Sequence, residues 1–250
     1  MQFKLCGSCF GNRRKAADFL RTESLRYLEE DTDVKRREAR EGGAVETTTR
    51  TRAALGFRAH SGWAAVVAIA GPPRSPRVVD RRRIELADPA IPASKQPYHA
   101  TEGLDLKKAE EVVRRATDDA QRLARQGLRA VIDDLRASGH DVIGCGIVLA
   151  AGRPATTLAA TLASHALIHT AEGELFRDVL VRAGDHHDLP VTGVRERELF
   201  ARGAAELSIP AGELERRVAE LGRAIGPPWT QDQKYAALVA WLALAAGPQP

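Results

Sequence analysis

The stretch that most constrains this chain is Asp141-Val142-Ile143-Gly144-Cys145-Gly146-Ile147-Val148-Leu149-Ala150. An unbroken apolar run of that length, stopped by Gly152 and Pro154, is what a β-strand buried on both faces requires. The residues on either side supply its cover. Leu106 to Ala137 reads as one long helix, with Leu106, Val112, Val113, Ala116, Ala120, Leu123, Leu128, Val131, Ile132 and Leu135 on one face and charges on the other. Gly127 is a point where it can kink, and Gly139 with His140 ends it. After the run, Thr157 to Ala183 reads as a second helix, and Val191 to Val194 as a short strand. Two strand-helix-strand crossovers imply parallel pairing.

Upstream, short strands are separated by turns. Ala53 to His60, a turn at Ser61-Gly62, Trp63 to Ala70, a turn through Gly71 to Pro76, and Arg77 to Leu86 form an antiparallel three-stranded meander. Ala87 to Gly103 carries Pro89, Pro92 and Pro97 and is a surface loop, with Tyr98 and His99 its notable bulky side chains. They either cover a site or merely belong to a proline-rich crossing. Downstream, Glu196 to Ala205, Glu213 to Gly222 and Gln231 to Ala245 are helices. The expected fold is α/β, a mixed sheet of a meander plus parallel strands with helices on both faces, spanning residues 53–246.

Residues 1–52 differ in character, with charge runs at Arg13-Arg14-Lys15, Glu29-Glu30-Asp31 and Lys35-Arg36-Arg37-Glu38. They are expected to form a poorly ordered extension with a short helix around Lys15 to Glu30. Met1 is the sole methionine, so a start downstream, at a non-Met codon such as that of Val45, is a hypothesis that intact mass tests. Cys6-Gly-Ser-Cys9 lacks a second ligand pair, and with Cys145 the cysteines do not describe a disulfide scaffold. No run approaches about 20 apolar residues and the N-terminus lacks a signal-peptide core, so a soluble cytoplasmic protein without membrane contact is expected. The net charge of +4 permits nucleic acid as a partner without requiring it. Phosphate-binding loops, dinucleotide fingerprints, G-x-S-x-G elbows and zinc ribbons are absent from the sequence.

The chemistry-bearing residues lie on the second helix. At about 100° per residue, Leu158, Leu162, His165, His169, Glu172, Phe176 and Leu180 share one stripe, placing two imidazoles and a carboxylate in an apolar face. Buried there, they need hydrogen bonds, ion partners or a metal. A metal site, an acid-base site without metal and a structural network all satisfy that need. Ala166 occupies the place of a zincin's general base, so that motif is absent. Glu172 is the only acid on the stripe and is expected to meet an imidazolium, Arg58 or a metal. Gly173 beside it would let a backbone from the sheet approach.

The strand and helix order, with Leu55-Gly56-Phe57-Arg58-Ala59-His60-Ser61-Gly62-Trp63-Ala64 opening it and Gln231-Asp232-Gln233-Lys234-Tyr235-Ala236-Ala237-Leu238 near its end, resembles the ribonuclease H-like superfamily, and most closely its Holliday-junction resolvase branch. The resemblance covers about Ala53 to Ala245. It implies clustered carboxylates holding two divalent cations for phosphodiester hydrolysis. Arg58 stands at the first-strand carboxylate position, the fourth strand has no acid after Asp141, and Tyr235 replaces a second acid of the last helix, so only Asp232 matches. The fold would instead gather His60, His165, His169, Glu172 and Asp232 as an acid-base or metal site, with His165, His169, Glu172 and Asp232 as ligands to Mg, Mn or Zn. His60 closing a hairpin and Asp232 complementing a helix dipole, with Thr230 as its cap, are the structural counterparts.

Two functions follow as expectations. One is a divergent, metal-dependent hydrolase of a phosphodiester or phosphate-bearing substrate. The other is a catalytically silent module binding nucleic acid or protein, with Arg81-Arg82-Arg83 as its electrostatic contact.

Overall fold

The computed structural model describes residues 50–152 and 155–247. The Cys6/Cys9 pair, the helix expected near Lys15 to Glu30 and the charged extension lie outside the described residues, but for its last few positions. Strands β1 (Thr51–His60), β2 (Trp63–Ala70) and β3 (Arg77–Glu85) form the meander, with β4 (His140–Leu149) and β5 (Val191–Arg195) completing one sheet. Its order is β3-β2-β1-β4-β5. β1 pairs antiparallel with β2, His60 opposite Trp63, around a two-residue turn in which Gly62 takes φ 82°, a conformation that favours glycine. β1 pairs parallel with β4, Gly56 beside Gly146 and Phe57 beside Ile147, and β4 pairs parallel with β5. This mixed α/β sheet, an antiparallel meander continued by parallel strands, is the arrangement that was expected.

Six helices flank the sheet in the described residues: α1 (Leu106–Ala137), α2 (Leu158–Leu162), α3 (His165–His186), α4 (Leu199–Leu207), α5 (Ala211–Leu221) and α6 (Gln231–Ala246). None is long and apolar enough to cross a membrane. Alternation along the strands sorts the core into two layers. Leu55, Phe57, Val66, Cys145 and Ile147 pack with Leu128 and Val131 of α1 and Phe176 and Leu180 of α3. On the other face Ala54, Val67 and Ile69 meet Ala236, Ala240 and Leu244 of α6, and Val148 and Val194 meet α4, α5 and the rest of α6.

α1 begins where Asp105 accepts the Lys108 backbone N–H, a standard N-cap that satisfies one of the helix's free donors. It runs through Gly127 without interruption. A Cβ there would sit 3.3 Å from Ile84, so this glycine permits a close crossing over β3 instead of marking a break. α6 is seated by two glycines. A Cβ on Gly56 would collide with the carbonyl of Ala236, and one on Gly146 with that of Val239. Because these glycines are register partners on adjacent strands, the helix backbone lies directly on β1 and β4. Thr230 and Gln233 close a reciprocal capping box at its start, fixing where the first turn begins.

One expectation needs correction. Thr157 to Ala183 is not a single helix: α2 ends at Leu162 and α3 starts at His165, with Ser164 extended between them (φ −145°, ψ 121°). The break uses neither glycine nor proline. Ser164 stands at an N-cap, a position its residue type favours, and its carbonyl accepts the Leu167 and Ile168 N–H groups that open α3.

Candidate metal centre

The polar trio lies entirely within α3. The buried face of α3 is Ile168, Ala171, Glu172, Leu175, Phe176, Val179, Leu180 and Ala183. His165 and His169 share the phase of that face but lie in the first turns of α3 and are exposed, the His165 side chain at 69%. Glu172 alone is buried as expected, its side chain 4% exposed.

Its partner is a loop, not the sheet. Glu172 Oε1 accepts the backbone N–H groups of Tyr98 (2.8 Å) and His99 (3.1 Å) and faces His99 Nδ1 at 3.2 Å. The proline-rich crossing is thereby pinned to α3, and a short 3-10 turn at His99–Thr101 follows. Gly173 plays no part in this: the nearest atoms to a Cβ there belong to the Arg177 guanidinium one turn on. Burial pushes the Glu172 carboxyl above the usual carboxylate range, against the opposing pull of the His99 and Tyr98 hydrogen bonds. Its second oxygen is buried without a hydrogen-bond partner, which carries a desolvation cost for the ionised form.

His99 completes a group that sequence periodicity did not assemble. One ligand nitrogen each from His99, His165 and His169 lie within 4.8 Å of one another. His165 Nε2 and His169 Nε2 are 3.1 Å apart. Two nitrogens bound to one tetrahedral zinc at about 2.0–2.1 Å stand roughly 3.3 Å apart, so this spacing fits a shared metal. Carboxylates stand behind two of the rings, Glu172 at His99 Nδ1 and Glu102 Oε1 3.5 Å from His165 Nδ1. A carboxylate at Nδ1 fixes the tautomer that leaves Nε2 free to bind. A cleft of about 540 Å³ opens beside His165, lined by Glu102, Leu104, Leu162, Ser164 and Ile168.

The other two predicted residues stand elsewhere. His60 Nε2 lies 3.0 Å from Asp232 Oδ1, though not aligned as a hydrogen bond, and the His60 ring stacks on Trp63. Arg58 reaches Glu196 at 2.6 Å and Asp232 at 3.6 Å, with the Tyr235 ring 5.7 Å from its guanidinium. Arg58 and His60 alternate with Phe57 and Ala59, so they share the α6 face of β1. The histidine cluster belongs to the α3 face. Thr170 packs at Gly152, just beyond β4, so both groups stand where β1 and β4 end. Among the described residues no hydrogen bond or ion pair joins them. Of the five residues expected to converge, the structure pairs His60 with Asp232 and His165 with His169, and ties Glu172 to His99.

The carboxylate set that the resemblance implied for two metals does not fit these residues. A guanidinium sits between the carboxylates it would need, the ring of Tyr235 takes the place of an acid, and β4 ends in Val148 and Leu149. No reaction step passes through such a pair here. The Arg81-Arg82-Arg83 run is also not a free basic surface. Arg81 donates to the carbonyls of Gly226 and Pro228, Arg82 pairs with Asp80 and Asp134, and Arg83 pairs with Glu85 and stacks over Trp63. A larger cleft of about 670 Å³ lies at the opposite end of the sheet, by Arg74, Arg77 and Leu221, away from either group.

No protein-family model matches the chain, and no curated protein matches it. Among solved structures it is similar to Thermus thermophilus RuvC in complex with a Holliday junction substrate, at 12% identity and a TM-score of 0.44 over 76% of this chain and 90% of that one. It is likewise similar to a second structure of Thermus thermophilus RuvC (13% identity, TM-score 0.41, 76% of this chain and 91% of that one). A third is the yeast mitochondrial Holliday junction resolvase Ydc2 (11%, TM-score 0.41, 82% of each chain). Residue roles in this chain rest on its own geometry.

Proposed function

We propose that the protein is a metal-dependent hydrolase of a phosphodiester or other phosphate-bearing substrate, with its metal held by His99, His165 and His169. The observation that carries this reading is the convergence of three imidazole nitrogens within 4.8 Å with carboxylates behind two of the rings. In place of the expected set of His165, His169, Glu172 and Asp232, the proposal makes His99 the third ligand. Glu172 becomes the group that orients it, and Asp232 the partner of Arg58 and His60. Three neutral imidazoles favour zinc, iron, nickel or copper over magnesium and manganese, which prefer oxygen ligands.

Three protein ligands leave a fourth position for water or substrate, the pattern of catalytic as opposed to structural zinc. A metal held by His99, His165 and His169 would supply Lewis-acid chemistry for phosphate hydrolysis. The protein's own residues do the rest. Glu172 holds His99 in one tautomer and anchors its loop, Glu102 flanks His165, and the cleft beside His165 gives access.

The test is hydrolysis of bis(4-nitrophenyl) phosphate and of a short DNA duplex by metal-stripped protein reloaded separately with zinc, manganese, iron and cobalt. Turnover that depends on metal and falls at least about 100-fold in His169→Ala supports the proposal, given that a first-row metal supplies several kcal/mol of transition-state stabilisation. Turnover independent of metal, or unchanged in His169→Ala, contradicts it.

A further inference from the structure

At the end of β1, two carboxylates from separate parts of the chain are drawn to one cation. Asp232 belongs to the first turn of α6 and Glu196 follows β5, yet the Arg58 guanidinium lies 2.6 Å from Glu196 Oε2 and 3.6 Å from Asp232 Oδ1. Arg58 and Asp232 are partly shielded, at 22% and 29% exposure, and Glu196 is exposed at 43%. Asp232 is not free to retreat, because Gly56 and Gly146 seat α6 directly on the sheet and the Thr230 capping box fixes its start. Without a cation between them, these carboxylates would repel each other, take up protons, or recruit a metal ion.

We propose that Arg58 is a resident cation: it fills the place a divalent ion would take between Asp232 and Glu196 and keeps that cluster free of metal. A guanidinium suits this role because it stays charged at any physiological pH and its planar fork can face two carboxylates at once. The consequence is a division of labour along one edge of the sheet. Oxygen ligands on the α6 face are closed to hard cations by the chain's own arginine, and nitrogen ligands on the α3 face stay open.

The test does not depend on what the histidines bind. In a His165→Ala/His169→Ala background, Mn²⁺ binding is titrated by electron paramagnetic resonance with and without Arg58→Asp. The parent is expected to show no Mn²⁺ binding that Asp232→Asn removes. Arg58→Asp is expected to create one Mn²⁺ site per chain, at least about tenfold tighter than the parent's background, since a third oxygen ligand replaces a positive charge. Adding Asp232→Asn then abolishes it. Should Arg58→Asp be unfolded by circular dichroism, Arg58→Gln, which removes the charge at similar reach, carries the same comparison. A folded variant that binds Mn²⁺ no more tightly than the parent overturns the proposal, as does a parent that already holds Mn²⁺ through Asp232.

Discussion

Glu172 carries two loads at once, and they can be separated by substitution. It clamps the loop through the Tyr98 and His99 backbone N–H groups and sets the orientation of the His99 ring. Glu172→Gln keeps an oxygen for the clamp but loses the charge behind His99. Metal affinity is expected to fall about 10–100-fold with little loss of stability, as for other carboxylates that support a metal-binding histidine. Glu172→Ala leaves three donors without their acceptor and is expected to cost about 2–4 kcal/mol as well. Urea melts of metal-free protein check the second figure; an alanine variant as stable as the wild type would contradict it. The raised pKa of Glu172, caused chiefly by burial, also sets a pH dependence. A folded value above the unfolded one means stability present below about pH 4.5 and lost as pH rises through the folded value. Wild type is therefore expected to lose stability relative to Glu172→Gln on going from pH 4 to neutrality, and a difference that stays flat or reverses would refute this.

At the scale of elements, the seat of α6 is the most consequential packing feature. Gly56→Ala would drive a methyl group into the Ala236 carbonyl and is expected to cost about 3 kcal/mol, at the upper end of overpacking penalties. For a domain of this size that corresponds to a fall in Tm of about 6–12 °C, measurable by calorimetry, and it would also displace Asp232 from Arg58. The strands and helices themselves were legible in the chain. β2 (Trp63–Ala70) and α1 (Leu106–Ala137) run as read, and β1 and β4 differ from the reading only at their ends, because the apolar runs of the strands and the period-3.6 pattern of the helix are bounded by turn residues. The break at Ser164 was not legible, since serine at an N-cap looks no different from serine inside a helix until the backbone turns. His165 and His169 keep the phase of the expected stripe within α3 but lie in its first turns, where they are exposed. His99 escaped because a proline-rich loop has no periodicity, and its meeting with Glu172 spans 73 residues of chain. The available signal was Tyr98-His99 as bulky side chains in that loop, in a chain with seven histidines.

Across the whole molecule, the sheet's one edge carries two arrangements of charge on opposite faces: an arginine enclosed by carboxylates and a group of imidazoles backed by carboxylates. The modest net charge of +4 is not concentrated at Arg81, Arg82 and Arg83, whose guanidinium groups are spent on internal partners. Replacing all three with alanine is expected to lower Tm while leaving any DNA affinity unchanged within about threefold, because no counterions are released from residues already paired; a large loss of affinity in fluorescence anisotropy would restore that surface as a contact. The central claim concerns the histidines. Untagged protein, exchanged against excess zinc and then dialysed, is to be analysed for metal per chain by mass spectrometry alongside His99→Ala, His165→Ala and His169→Ala. The account predicts one zinc per chain in the wild type and a loss of at least about tenfold in affinity with each substitution, as expected when one of three ligands is removed. Wild-type protein that emerges metal-free, or zinc retained undiminished in the His99→Ala variant, would contradict it.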